Sequence, residues 1–394
     1  MVAGKRHDEE GFRNAVKLMR DVEHGMGWIL TGLTNERAEA VIDYLVKYFG
    51  PDSKLPAPET LPGYAKVKSP DVGNDALNVT YVDWEMPEEL RFPFSGAPDG
   101  KGSVWIPYYG RINKIGRLDL KTQKIEEFKV PSTTSALIHS AVAAPDGTVW
   151  FSEQNNGRVG MYDPRTRKMV EYQEPRYPQL KFTRKHSVRP SADNRYVWAS
   201  GEPLTRFDRT TKKFTPFLEV PTSYGVDLDK DGNAWFSEMT DGGKIGKVDA
   251  KTLKVTKYAP PTNGRPRRIF VAPDGMIWFA EFSAGRLAKF DPKTETFKEY
   301  PLPGPAPEEV APYGLAVDRT GAVWYMSEKN QVLGRLDPNT GKVVEYPTPY
   351  AEGFGRELFP DAEGRIWYGL FSRNKVGYFK VPEAGVVAQR AASR

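Results

Sequence analysis

The sequence predicts an all-β protein: a seven-bladed β-propeller closed by an N-terminal outer strand, with a small N-terminal α-helical segment. Two recurrences and one displaced strand predict it. Of nine Trp, seven share one context (Trp105, Trp150, Trp198, Trp235, Trp278, Trp324 and Trp367), at steps of 37 to 48 residues, the period of a four-stranded blade. Asp119, Asp163, Asp208, Asp249, Asp291 and Asp337 are each followed three residues later by Thr, between runs such as KIGRLD and KIEEF. An Asp opening a turn bonds its own backbone, so this mark belongs to hairpins rather than to a site. The seventh repeat stops after KVGYFKV, one strand short, while LNVTYVDWEMP (Leu77 to Pro87) carries the outer-strand pattern. A ring whose last blade takes its outer strand from the N-terminus leaves no open edge.

The elements follow in order. Over residues 1–50, DEEGFRNAVKLMRDV puts Phe12, Val16 and Met19 on one helical stripe. TNERAEAVIDYLVKYFG does the same with Ala38, Val41, Ile42, Leu45 and Phe49, starting at Thr34 and stopping at Gly50-Pro51. Residues 51–76 read as a Pro-rich linker, 77–381 as the propeller and 382–394 as a C-terminal tail. A Gly content of 36, a Pro content of 33 and 12% aromatics suit short strands and tight turns. Within the propeller, Asp-Gly-like turns precede each Trp, as at Asp146-Gly147 and Asp274-Gly275.

Composition excludes several function classes. The net charge of +5 is small for 394 residues, and Lys and Arg are interleaved with acids, a solvated basic surface rather than a nucleic-acid face. No apolar run approaches the ~18–20 residues that span a bilayer. Zero Cys removes disulfides, thiolate zinc sites, cysteine nucleophiles and covalent haem.

In a propeller the innermost strands line a central channel, and their first residues form its mouth. Counting back seven residues from each pre-Trp turn gives one equivalent position per blade: Phe92, His139, His186, Tyr224, Arg267, Tyr313 and Arg356. A second set lies three residues after the Trp, where the next strand returns to the mouth: Tyr108, Glu153, Glu238 and Glu281, with Glu328 one step further on in the sixth blade. The funnel is therefore expected to gather His, Tyr, Arg and Glu side chains around a concave ligand site. The competing reading is a polar plug in which Arg and Glu neutralise each other. Arg265, Arg267, Arg268 and Arg356 near one rim favour a carboxylate, sulfate or phosphate. Clustered His and carboxylates suit a divalent metal, but no close-spaced ligand motif is present.

The blade signatures WFSEQNNGRVGMYDP, WFAEFSAGRLAKFDP and WYMSEKNQVLGRLDP resemble the streptogramin B lyase (virginiamycin B lyase) family over roughly residues 77–380. The resemblance implies a seven-bladed propeller that opens a cyclic depsipeptide antibiotic by elimination at an ester, with magnesium and a general-base His. The positions matching the family's two His are Arg267 in RPRRIF and Tyr313 in APYGLA. The family's Glu just before its second Pro-His matches Ala311, and its acidic residue after the aromatic strand matches Glu328. Scaffold and catalytic set thus part company, because arginine stays protonated and an ordinary Tyr titrates near ~10. His139 and His186 offer a relocated base. A gluconolactonase-like hydrolase is a weaker relative by fold.

The head, RHDEEGFRNAVKLMRD…GLTNERAEAVIDYLVKYFGP, resembles the C-terminal part of a small c-type cytochrome domain without its Cys-x-x-Cys-His motif. That resemblance implies a periplasmic or secreted setting and a haem-bearing partner, although no signal peptide is visible. Two expectations compete. One is a divergent lyase or metal-dependent hydrolase, monomeric, acting on a small anionic or cyclic molecule in the funnel. The other is a non-catalytic binding or scaffold propeller associated with a cytochrome module.

Overall fold

The structure, a computed structural model, describes residues 8–20, 34–53, 78–304, 306–330, 332–349 and 355–381. The chain divides into two compact units, Met1–Asp71 and Val72–Arg394. The linker read over 51–76, beyond residue 53, and the tail over 382–394 lie outside the described residues, as does the side chain of Met19.

In the first unit, helix α1 (Glu9–Arg20) packs on helix α2 (Asn35–Phe49). Thr34 caps α2, its hydroxyl accepting the Arg37 N–H at 3.3 Å. Phe12 and Val16 are buried, as are Ala38 and Ile42. Val41, read as part of that stripe, instead faces solvent at 37% exposure. A helix turns ~100° per residue, and positions 38, 42 and 45 suffice to cover the α1 face.

The second unit is the propeller. Seven antiparallel four-stranded sheets follow one another in chain order. Blade 1 begins its inner strand at Ala97–Pro98, and blades 2 to 7 at Ile138–Ala143, Arg184–Pro190, Val226–Leu228, Pro266–Val271, Pro312–Val317 and Phe359–Pro360. Consecutive inner strands touch, and blade 7 meets blade 1. The outer strand of blade 7 is Thr80–Glu85, registered from Thr80↔Lys380 to Glu85↔Lys375. The displaced strand thus closes the ring by pairing the last blade's third strand, Lys375–Lys380.

Each recurrent Trp fills the seam to the following blade. Trp150 packs against Val188, Val197 and Phe207 of blade 3, and Trp367 against Val104, Ile106 and Leu118 of blade 1. All seven are 3% exposed or less. Burying so large a ring leaves its N–H to be satisfied. Asp229, Asp318 and Asp361 accept from Trp235, Trp324 and Trp367 at 2.7–3.0 Å. The Asp-x-x-Thr turns are built as their chemistry requires: Asp119 accepts the N–H groups of Lys121 and Thr122, and Asp249 those of Lys251 and Thr252, at 2.8–3.0 Å.

Candidate functional site

The inner strands of blades 2, 3, 5 and 6 share an irregularity at their start. Pairing with the second strand slips between Ile138 and Ala141, Lys185 and Val188, Pro266 and Ile269, and Pro312 and Gly314. The skipped residues include His139, His186, Arg267 and Tyr313. A bulge bends its strand and re-aims the side chain it carries, and here it brings these side chains together with those of Tyr224 and Arg356 around the axis.

Bridging serines hold the bulges in place. Ser152, Ser200 and Ser237 each stand two residues after a Trp. Their hydroxyls accept the N–H of Ser140, Ser187 and Gly225 in their own blade at 2.9–3.1 Å. Each then donates to a carbonyl of the next blade, that of His186, Tyr224 and Arg267 respectively. Every bridge thus ties one funnel residue to its neighbour's backbone. Sequence reasoning missed it, although Ser at Trp+2 in three consecutive blades was a readable signal.

The side chains form one contiguous layer. The Tyr224 and Tyr313 hydroxyls hydrogen-bond each other, and the Tyr224 hydroxyl lies 3.4 Å from Nε2 of His139. The His139 ring stacks on His186 at 5.0 Å between centroids and lies tilted against Phe94 at 4.0 Å. The Arg267 guanidinium lies 3.6 Å from the Phe282 centroid and 4.5 Å from that of Tyr313, and Arg356 lies 5.5 Å from the Tyr313 centroid. His139, His186, Tyr224 and Tyr313 are buried, whereas Arg267 and Arg356 are half-buried. Glu328 joins through Arg356, 3.7 Å away. Phe92 stacks on Phe371 beside the layer.

Beneath it lies a charged floor. Arg268 donates to the Arg356 carbonyl at 2.8 Å and to the Ser187 hydroxyl at 2.5 Å. Glu357 accepts from Arg189 at 2.9 Å and lies 3.4 Å from Arg268, and Arg189 lies 3.4 Å from Asp227. This network crosses blades 3, 4, 5 and 7, and it supplies a neutralised plug in one layer beneath Arg267 and Arg356 of the mouth.

Three of the expected site residues go elsewhere. Glu153 accepts from Ser132 at 2.6 Å and from Asn156 at 2.8 Å. Glu238 pairs with Lys257 at 2.6 Å. Glu281 is wholly buried, and neither of its oxygens has a hydrogen-bond partner among the described residues. Glu153 and Glu281 end regular second strands, where pleating sends the side chain along the blade rather than to the axis, and Glu238 stands one residue past its strand, Ala234–Ser237. Arg265 likewise leans out to Asp241 at 2.9 Å. Phe282 and Glu357 enter in their place, and Arg268, expected at the rim, lies in the floor.

Electrostatics follow from burial among guanidiniums. Burial, then Arg268, pushes His139 well below its ordinary value and His186 down to about 3, so both rings are neutral near pH 7. Burial pushes Tyr224 well above its ordinary value. Burial also pushes Tyr313 up, but Arg356, Arg267, Arg268 and the bond to Tyr224 outweigh it and hold the phenol below 10. Magnesium, which the family resemblance implies, does not fit here. Three guanidiniums face the layer, and of its carboxylates Glu328 is paired with Arg356 and Glu357 with Arg189 and Arg268. Among the described residues, no three His, Asp or Glu side chains converge as a metal site.

Comparison with known proteins agrees with this fold. Residues 210–391, which span blades 4 to 7 and the end of blade 3, match the family model described as the Virginiamycin B lyase family. Over those residues, just under half of the chain, the sequence is similar to the virginiamycin B lyase family. A streptogramin B lyase structure superposes with a TM-score of 0.69 at 20% identity, over 79% of this chain and 100% of the other. Virginiamycin B lyase from Staphylococcus aureus gives 0.67 at 20% identity, over 77% and 100%. The extracellular domain described as part of a hybrid two-component system from B. thetaiotaomicron gives 0.58 at 18% identity, over 76% and 42%. At such identities the likeness shows the fold. No protein of curated function matches the chain. Nothing in these comparisons bears on the cytochrome resemblance of the head.

Proposed function

We propose that the virginiamycin B lyase-like propeller binds a small anionic or cyclic molecule at its funnel mouth, and that Tyr313 exchanges a proton with it. The observation that carries this reading is the convergence of Arg267 and Arg356 on the buried Tyr313–Tyr224 pair. Guanidiniums suit a carboxylate or ester oxygen, and a phenol they face gives up its proton more readily. In the lyase form, the Tyr313 phenolate takes a proton α to the carbonyl and Tyr224 donates to the same oxygen. The C–H electron pair forms the C=C bond as the β C–O bond breaks, and the leaving oxygen departs with the pair of the broken C–O bond. Arg267 and Arg356 steady the enolate oxygen. No metal takes part in these steps. His139 and His186, neutral and stacked, shape the wall.

The experiment is an ultraviolet difference titration with a binding screen of small carboxylates and lactones. The expected parent shows one tyrosine ionising ahead of the rest, a step missing in Tyr313→Phe, and Arg267→Ala loses the bound carboxylate. Identical titrations in parent and Tyr313→Phe, or undiminished binding in Arg267→Ala, would overturn the proposal. A second reading, a non-catalytic binding or scaffold propeller, is favoured by the nearly closed Tyr–His layer, with Tyr313 2% and His139 3% exposed. Binding without turnover would select it. A setting outside the cytoplasm, a haem-bearing partner and a single-chain state belong to either reading as proposals resting on the sequence resemblances.

A further inference from the structure

A second cavity stands beside the funnel. It has about 700 Å³ and lies against blades 2 and 3, walled by the connection from Glu174 to Arg184, a volume usual for small-molecule sites. Its lining holds Arg176, Lys181 and Arg184 against one carboxylate, Glu174, while Arg158 in the same wall pairs with Glu171 at 3.6 Å. That carboxylate is committed elsewhere. Glu174 pairs with the fully buried Lys185 and accepts from Thr205 at 2.6 Å, while Lys185 also donates to the Pro203 carbonyl at 2.8 Å.

The cavity is a built feature. The Glu174–Lys185 pair joins the two ends of the connection across a buried neck. The opposite wall is fixed where Gly157, at φ +61°, lies against Thr183: a Cβ there would sit 2.6 Å from the Thr183 carbonyl oxygen. Phe182 is 43% exposed at the rim, with the Arg184 guanidinium 4.2 Å and the Lys181 ammonium 5.2 Å from its ring centroid. An exposed ring flanked by cations in a net-positive cavity offers both a stacking face and an anion partner. The adjoining backbone runs from Arg184 through Lys185 to His186, so the cavity borders the funnel without sharing its arginines.

We infer that this cavity is a second binding site, for a small aromatic molecule carrying an oxyanion, stacked on Phe182 and held by Arg176, Lys181 and Arg184. The proposal is independent of the chemistry assigned to Tyr313. It is tested by isothermal titration of the full chain with naphthalenesulfonate and, as the uncharged counterpart, naphthalenemethanol. The sulfonate is expected to bind the parent at least about tenfold more tightly than the alcohol, the scale of one charge-assisted contact. Phe182→Ala and the double variant Arg176→Ala/Lys181→Ala should each weaken the sulfonate, and Arg267→Ala should leave it unchanged. All three altered loop positions are exposed, so these variants keep the fold, and the funnel variant separates the two sites. Equal binding of sulfonate and alcohol, no binding by the parent, or loss only in Arg267→Ala would overturn the inference.

Discussion

Two positions on each blade's first hairpin stand side by side, yet their side chains meet different fates. In blade 2, Glu153 pairs with Ile138, the residue just before His139, and in blade 5 Glu281 pairs with Pro266, just before Arg267. His139 and Arg267 reach the axis and join one layer. Glu153 and Glu281 stay within their blades, near Glu171 and Glu299 of the outer strands. The difference lies in the backbone: the bulge frees the inner-strand residue from the pleat, while the second strand keeps strict alternation. Height in the barrel therefore does not decide which polar residues form the site. Local pairing does.

The sharpest way to break that contrast is at the axis. Glu357 is 3% exposed and holds both Arg189 and Arg268. Glu357→Gln should cost about 3–5 kcal/mol, because buried guanidiniums lose their counter-charge. Urea unfolding checks it, and a loss below about 1 kcal/mol would mean that solvent reaches the floor. The bulge support comes next. Ser200→Ala strips the Ser187 N–H and the Tyr224 carbonyl of a shared partner, an expected loss of about 1–3 kcal/mol for buried polar groups left unmade. In the same variant the Tyr313 ionisation step should move, since Tyr224 is no longer held in place. An unmoved step would show that Tyr224 is positioned by side-chain packing alone.

Much of this was legible in the residues themselves. The Trp period, the Asp-x-x-Thr turns and the stray strand at Thr80–Glu85 are local signals, each tied to one hairpin or one seam, so the propeller could be counted without coordinates. Equivalent positions then located the mouth, and His139, His186, Tyr224, Arg267, Tyr313 and Arg356 do meet there. The glutamates could not be placed the same way, because whether a residue leaves the pleat depends on a one-residue slip that periodicity does not reveal. Arg268, read at the rim, could not be placed in the floor, and Glu357 was hidden, for a related reason. The partners of Arg268 come from blades 3 and 7 and those of Glu357 from blades 3 and 5, and a pairing across more than 80 residues leaves no local trace. The lowered Tyr313 phenol follows from three arginines in three-dimensional proximity, where the sequence alone suggested an ordinary tyrosine.

The smallest effect separates the two buried carboxyls of the blade edges. Burial raises Glu281 to about 8, with Glu299 adding to it, and raises Glu153 to about 7 against the hydrogen bonds from Ser132 and Asn156. An unfolded glutamate releases its proton near its ordinary 4.5. Between 4.5 and about 8 the folded state therefore binds more protons than the unfolded one, and Glu281 costs increasing stability as pH rises through that window. The buried histidines work in the other direction but act only below their ordinary 6.5, where the unfolded state takes up the extra proton. A comparison of pH 6.5 with pH 8 thus isolates the carboxyls. Glu281→Gln removes the titration, so its melting temperature relative to the parent should climb by about 2 °C or more over that interval, given ~2–4 °C per kcal/mol for large domains. Glu153→Gln should climb less, because donors from Ser132 and Asn156 already stabilise its charged form. A flat difference for Glu281→Gln would mean that its carboxylate is solvated and ionised at neutral pH, and the contrast between the blade edge and the axis would then rest on geometry alone.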